Sequence, residues 1–193
     1  MILTETRLAG AFTIDVSPHE DERGFFARVW DAELLAERGL DARASQSSIA
    51  YNHRRGTLRG LHFQLPPFAE TKLVRCTRGA IWDVIVDLRP GSPTFLEWVA
   101  VELTAENRRT LYVPEEFAHG YQTLADASEV WYQMSVPYAP DAARGLRWDD
   151  PRLAIEWPEA EGRVISERDR AWPDLEDVLG LARAKTPEGS KIR

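Results

Sequence analysis

The stretch from Lys72 to Pro114, "KLVRCTRGAIWDVIVDLRPGSPTFLEWVAVELTAENRRTLYVP", most narrows what this chain can become. Its runs of Val, Ile, Leu, Trp and Tyr are cut by breakers at Arg78-Gly79, Pro90-Gly91-Ser92-Pro93 and Ala105-Glu106-Asn107. Runs this short suit strands, and breakers at this spacing turn the chain back on itself. No long helical pattern lies between them to carry a parallel crossover. The stretch therefore predicts an antiparallel sandwich or barrel.

Helices are expected only at the periphery. Asp31 can cap "AELLAER", with Gly39 ending the helix, and a second pattern runs through "DLEDVLGLARAK". Neither an internal repeat nor a linker divides the chain, and 193 residues is an ordinary length for one domain. The expectation is a single domain over 1–185, followed by a flexible tail, "TPEGSKIR", over 186–193.

Composition excludes several classes. No apolar run approaches the ~20 residues of a membrane span. "MILTETRLAGAF" lacks a basic region followed by an apolar core, and the single cysteine, Cys76, has no partner within the chain. A cytoplasmic protein is expected. A net charge of −7 argues against a nucleic-acid surface over the whole molecule. Between Tyr51 and Ala80, however, six cations (Arg54, Arg55, Arg59, Lys72, Arg75, Arg78) face one acid, Glu70. Such a cluster suits a small anionic ligand, and equally a solvated strand edge.

Four histidines are available, and two have distinctive settings: His62 in "LRGLHFQ" and His119 in "VPEEFAHGYQ". Metal-binding cupins carry a His-x-His pair, then Glu, then a distant His. Here Gln64 takes the place of the second His, which leaves too few good ligands for a tight first-row site. Lys72 is one of three lysines against 21 arginines, the others being Lys185 and Lys191. It shares its parity along "KLVRC" with Val74 and Cys76, so it can point inward, where a compact ammonium suits a developing oxyanion. Taken alone, the stronger reading is a strand-end lysine snorkelling to solvent. Tyr132 in "EVWYQM" reads as core, or as a general acid facing a cavity. Asp169 in "ISERD" either closes a capping motif begun by Ser166 or orients a histidine. On spacing alone, capping is the stronger reading.

Taken in order, "DERGFF", "GTLRGLHFQ", "KLVRCTRGAIWDVIVDLRPGSPTF", "LYVPEEFAHGYQTL", "GLRWDDPRLAIEWP" and "ISERDRAWP" resemble the nucleotide-sugar 3,5-epimerases typified by dTDP-4-dehydrorhamnose 3,5-epimerase. The resemblance covers roughly residues 10 to 175. It implies a mainly β, cupin-like jelly roll that is usually dimeric and needs neither metal nor cofactor. It also implies a nucleotide-diphosphate 4-keto-6-deoxy sugar as substrate. His62 matches the family's general base and Asp169 the carboxylate that partners it. Lys72 matches the lysine at the 4-keto oxygen, and Tyr132 the proton-donating tyrosine. His119 matches a second active-site histidine. Arg59, Arg23, Phe26, Gln46 and Tyr138 match positions that hold the diphosphate or sugar. Two departures bear on recognition: the family's "Q-x-N" is replaced by "QSSIAYN", and its "YK" by Tyr132-Gln133. A single-centre epimerase or a sugar ketoisomerase could keep the same residues. A metal-dependent cupin is disfavoured by Gln64.

Overall fold

The apolar runs become strands of two facing sheets in the computed structural model, which describes residues 1–178 and Gly180. The first sheet lines up β1 (Ile2–Glu5), β2 (Phe12–Asp15), β10 (Thr110–Val113), β7 (Lys72–Arg78), β12 (Ser128–Met134) and β5 (Gln46–Asn52), each antiparallel to its neighbour. The second lines up β13 (Ala143–Gly145), β6 (Thr57–Gln64), β11 (Phe117–Thr123), β8 (Ala80–Asp87) and β9 (Trp98–Thr104), also antiparallel. A short β14 (Val164–Ile165) joins β6 in parallel. A separate hairpin, β3 (His19–Asp21) and β4 (Gly24–Phe26), projects with every residue exposed.

The core lies between the sheets. Val74, Cys76, Leu111 and Val130 from the first meet Ile81, Ile85, Leu103 and Phe117 from the second, all essentially inaccessible to water. Period two then decides what else faces inward. Lys72 follows Val74 and Cys76 toward the interior, as its parity allows, rather than snorkelling to solvent, whereas Leu73 packs on the other face with Ile14, Leu35 and Tyr112. The outer face of the second sheet is covered as well, by Leu146, Leu153 and Leu175 over Leu61, Val84 and Val86. Sheets covered on both faces explain why the central strands read as continuous apolar runs rather than strict alternations. The architecture is the cupin-like jelly roll expected.

Helix α1 (Ala32–Glu37) starts where Asp31 Oδ1 accepts from the Glu33 and Leu34 amides at 3.1 and 3.2 Å. It stops where Gly39 adopts φ +70°. Two short helices follow late in the chain, α2 (Glu167–Arg170) and α3 (Leu175–Val178). Of the second expected helix only α3 is seen; its continuation to Lys185 and the tail 186–193 lie outside the described residues. The "LRPGSPT" breaker is tied down by Asp87, which is fully buried. Its carboxylate accepts from Arg89 Nε (2.9 Å), Arg89 Nη2 (2.7 Å), Ser92 Oγ (2.6 Å) and Thr94 Oγ1 (2.7 Å).

Candidate active site

A cavity of about 240 Å³ opens between the sheets at the end where the core gives way to polar side chains. From the second sheet come Arg59, His62 and His119; from the first come Lys72 and Tyr132, with Tyr138 at the rim.

Arg59 and His62 are three residues apart, so a regular strand would send them to opposite faces. Across from them, His119 pairs with His62 and Tyr121 pairs with Arg59, a separation of only two. The extra residue is absorbed by a bulge at Gly60, which restores both side chains to the same cavity. Only glycine fits there: φ is +127°, and a Cβ would lie 2.5 Å from Gly120 Cα.

His62 Nε2 lies 2.7 Å from Asp169 Oδ1. The Asp169 carboxylate also accepts from the Gly60 amide (3.3 Å) and Trp172 Nε1 (3.2 Å). Burial by itself pushes this carboxyl up, but the His62 interactions and these hydrogen bonds outweigh it and hold it below the ordinary aspartate range. An ionised acceptor on Nε2 fixes the proton there and leaves the imidazole lone pair on Nδ1. The capping reading is also correct, through different atoms: Ser166 Oγ accepts from the Asp169 backbone amide at 3.1 Å. The two roles do not compete.

His119 Nε2 lies 2.5 Å from Asp83 Oδ1. Asp83 is fully buried, and its Oδ2 has no partner among the described residues. Burial pushes its carboxyl up against the opposing pull of His119. Arg59 is braced by Asn52, whose Oδ1 accepts from Nε at 2.9 Å and whose amide donates to Tyr121 Oη at 3.3 Å. Tyr132 makes no hydrogen bond through its hydroxyl among the described residues, and burial raises that hydroxyl's pKa. Lys72 is 8% exposed and ion-pairs with Glu70.

Gln64, standing where a cupin ligand would be, has its amide engaged elsewhere. Nε2 donates to Phe68 O (2.9 Å) and Glu70 Oε2 (3.3 Å), while Oε1 accepts from the Ala139 amide (2.6 Å).

The structure gathers six of the ten residues singled out by sequence at this cavity: Arg59, His62, Lys72, His119, Tyr132 and Tyr138. Asp169 stands behind His62. Gln46 touches the rim indirectly, its Oε1 accepting from the Tyr138 amide at 2.9 Å. Arg23 and Phe26 are not brought there; both lie on the exposed hairpin, Phe26 at 71% and Arg23 paired with Asp21 at 2.5 Å. The basic cluster also resolves differently from its order in sequence. Of its six cations only Arg59 and Lys72 reach the cavity, where Arg144 and Arg168 join them. Sequence reasoning missed Asp83, Asn52 and Trp172. Asp83 had a signal, a carboxylate inside the apolar run "AIWDVIV".

The family profile described as dTDP-4-dehydrorhamnose 3,5-epimerase matches residues 5–177. A dTDP-4-dehydrorhamnose 3,5-epimerase from Sinorhizobium fredii is 46% identical over 155 residues, 80% of each chain. The enzyme of that name from Bacillus anthracis, solved with TDP and PPi bound, superposes with a TM-score of 0.86 at 40% identity, over 90% of this chain and 99% of that one. A 3'-monoepimerase from Streptomyces bikiniensis in complex with dTDP-quinovose gives 0.83 at 32% identity, over 91% and 90%. With a match across nearly the whole described chain and a fold shared at this level, the protein belongs to the dTDP-4-dehydrorhamnose 3,5-epimerase family of isomerases.

Proposed function

We propose that this chain epimerises a dTDP-linked 4-keto-6-deoxy sugar at C3 and C5 through enolate intermediates. The observation that carries the reading is the 2.7 Å His62–Asp169 contact on one sheet with Tyr132 on the other, both at one cavity. Removing a proton next to a ketone leaves a carbanion that delocalises onto the carbonyl oxygen. The chemistry then needs a base on one face of the ring, a cation at the oxygen and an acid on the opposite face.

His62 is the base. Its Nδ1 takes the proton, and the charge that appears on the ring is neutralised by Asp169. A positioned base of this kind contributes on the order of 10²–10⁴-fold. Lys72 faces the ketone oxygen, where negative charge develops, the arrangement that usually supplies the largest single contribution. Tyr132 donates a proton from the other sheet, and delivery to the second face inverts the centre. Arg59, fixed by Asn52, binds the diphosphate through its remaining N–H groups, and His119 and Tyr138 line the sugar's surroundings.

Arg23 and Phe26 bind substrate in the cavity of a second copy. Their exposure on a projecting hairpin, away from their own cavity, supports a homodimer in which each subunit lends its hairpin to the other. The working unit is residues 1–185, and the compartment the cytoplasm. Among the described residues, no helix is long and apolar enough to cross a membrane.

The likeness to a 3'-monoepimerase favours a second reading, inversion at one centre only. Incubation with dTDP-4-keto-6-deoxyglucose in deuterated water separates the two. Deuterium at both C3 and C5 with inversion is expected. Deuterium at C3 alone establishes the second reading, and no uptake at either carbon removes both.

A further inference from the structure

Glu70 is the one carboxylate among the described residues that line the cavity. A site that admits a diphosphate and develops an enolate is the wrong place for an anion unless the anion serves another group. Its side chain is 10% exposed and both oxygens are engaged: Oε1 pairs with Lys72 Nζ, and Oε2 accepts from Gln64 Nε2 at 3.3 Å. Gln64 is anchored in turn by Phe68 O and the Ala139 amide. The orientation of Glu70 is thus set by the backbone before any substrate arrives.

We propose that Glu70 is the positioning residue for Lys72, holding its side chain in one arrangement and keeping its ammonium charged against the ketone oxygen. The identity of that oxygen rests on the epimerase reading above. A buried ammonium sheds its proton readily. Arg59, His62 and His119 face Lys72 from the second sheet, and Arg144 and Arg168 from β13 and α2. The arginines, and either histidine when protonated, push in the same direction as burial. Burial raises the hydroxyl pKa of Tyr121 and Tyr132, so both are neutral at ordinary pH. Burial lowers the Lys72 pKa, and Glu70 opposes it through both charge and hydrogen bond. Glu70 is therefore the charged wall residue that pulls the other way.

The chain's three lysines make the test direct, because acetylation at Lys72 is resolved from Lys185 and Lys191 by peptide mapping. Competitive labelling with trace acetic anhydride is followed across the pH range for the parent, Glu70→Gln and Glu70→Asp. Lys72 is expected to become reactive at lower pH in Glu70→Gln than in the parent, with Glu70→Asp close to the parent. The alkaline limb of kcat for deuterium exchange moves down with it, kcat at pH ~8 falling on the order of tenfold while KM changes little. Identical labelling curves in parent and Glu70→Gln overturn the proposal, as does a loss of kcat equal at every pH. Should the parent fail to exchange deuterium at all, the substrate reading falls, while the labelling curves still decide whether Glu70 sets the charge of Lys72.

Discussion

His62 and His119 are direct cross-strand partners, yet each imidazole is held by a carboxylate reached from a different direction. Asp169 arrives from a helix 107 residues later in the chain, whereas Asp83 rises from the adjacent β8. The two pairs are chemically unlike. Asp169 is held below the ordinary aspartate range by His62 and its hydrogen-bond donors, so it stands as an anion beside the imidazole. Asp83 is pushed up by complete burial with one oxygen unpartnered, so it resists carrying charge. Equal sequence settings conceal unequal chemistry.

Asp169→Asn is expected to separate the residue's two roles. The amide that donates to Ser166 Oγ is untouched, so the cap survives, while the Gly60 amide and Trp172 Nε1 lose a charged acceptor at a cost of about 1–3 kcal/mol. Without an ionised acceptor, His62 loses both its fixed tautomer and its counter-charge, and solvent deuterium exchange falls on the order of 10²–10⁴-fold. Ser166→Ala should do the reverse, costing about 1 kcal/mol in a denaturant titration. An unimpaired exchange rate in Asp169→Asn sinks the dyad.

Tyr132→Phe keeps the ring that packs against the core and removes the hydroxyl. Exchange into the substrate is expected to continue, because His62 can return the proton it took. Net inversion falls at least tenfold at one or both centres. The paired measurement is deuterium content against product stereochemistry on one sample; parallel loss of both signals assigns the acid elsewhere.

Stability should drop at low pH through Asp87. Burial alone pushes its carboxyl up, but Arg89, Ser92 and Thr94 outweigh it and bring the pKa to about 2, from 3.8 when unfolded. A depressed folded pKa stabilises at every pH above the unfolded value. That contribution, on the order of 2 kcal/mol, is lost as pH falls from about 4 toward 2. Asp87→Asn lacks the contribution at neutral pH and should show a flatter acid limb in urea midpoints between pH 2 and 5. Parallel limbs for the two proteins would contradict this account.

Gly60→Ala forces a Cβ to within 2.5 Å of Gly120 Cα at a φ of +127°. A cost of roughly 2–4 kcal/mol is expected. Because relief of that clash disturbs the bulge, dTDP binding through Arg59 and exchange through His62 should both weaken. An alanine variant with parental stability and affinity would mean that the two strands need not meet so closely.

Much of this was legible before the structure. The breakers marked the strands, and the parity of "KLVRC" allowed the inward Lys72 that the structure shows, although snorkelling was the stronger reading of that strand alone. What stayed hidden is where period two fails. Arg59 and His62 share a cavity only because one residue bulges at Gly60, and nothing in a count of spacings announces a bulge. Asp169 was legible as a cap because capping is local, whereas its carboxylate serves a histidine distant in sequence. The apparent basic cluster dispersed because alternate residues of a strand face opposite ways, and two cations came in from later elements. Arg23 and Phe26 are an opposite case: the family pattern points to them, but they lie on the exposed hairpin, outside the residues that line the cavity.

The placement of Asp169 also bears on what the last portion of the chain contributes. β6 and β11 carry the two histidines, whereas the carboxylate beside His62 comes from α2, just after the strand β14 that joins β6. A chain clipped before Ser166 would lose that carboxylate together with Leu175, which covers the outer face of the second sheet. Release of that portion would uncover core as well as strip the imidazole of its carboxylate.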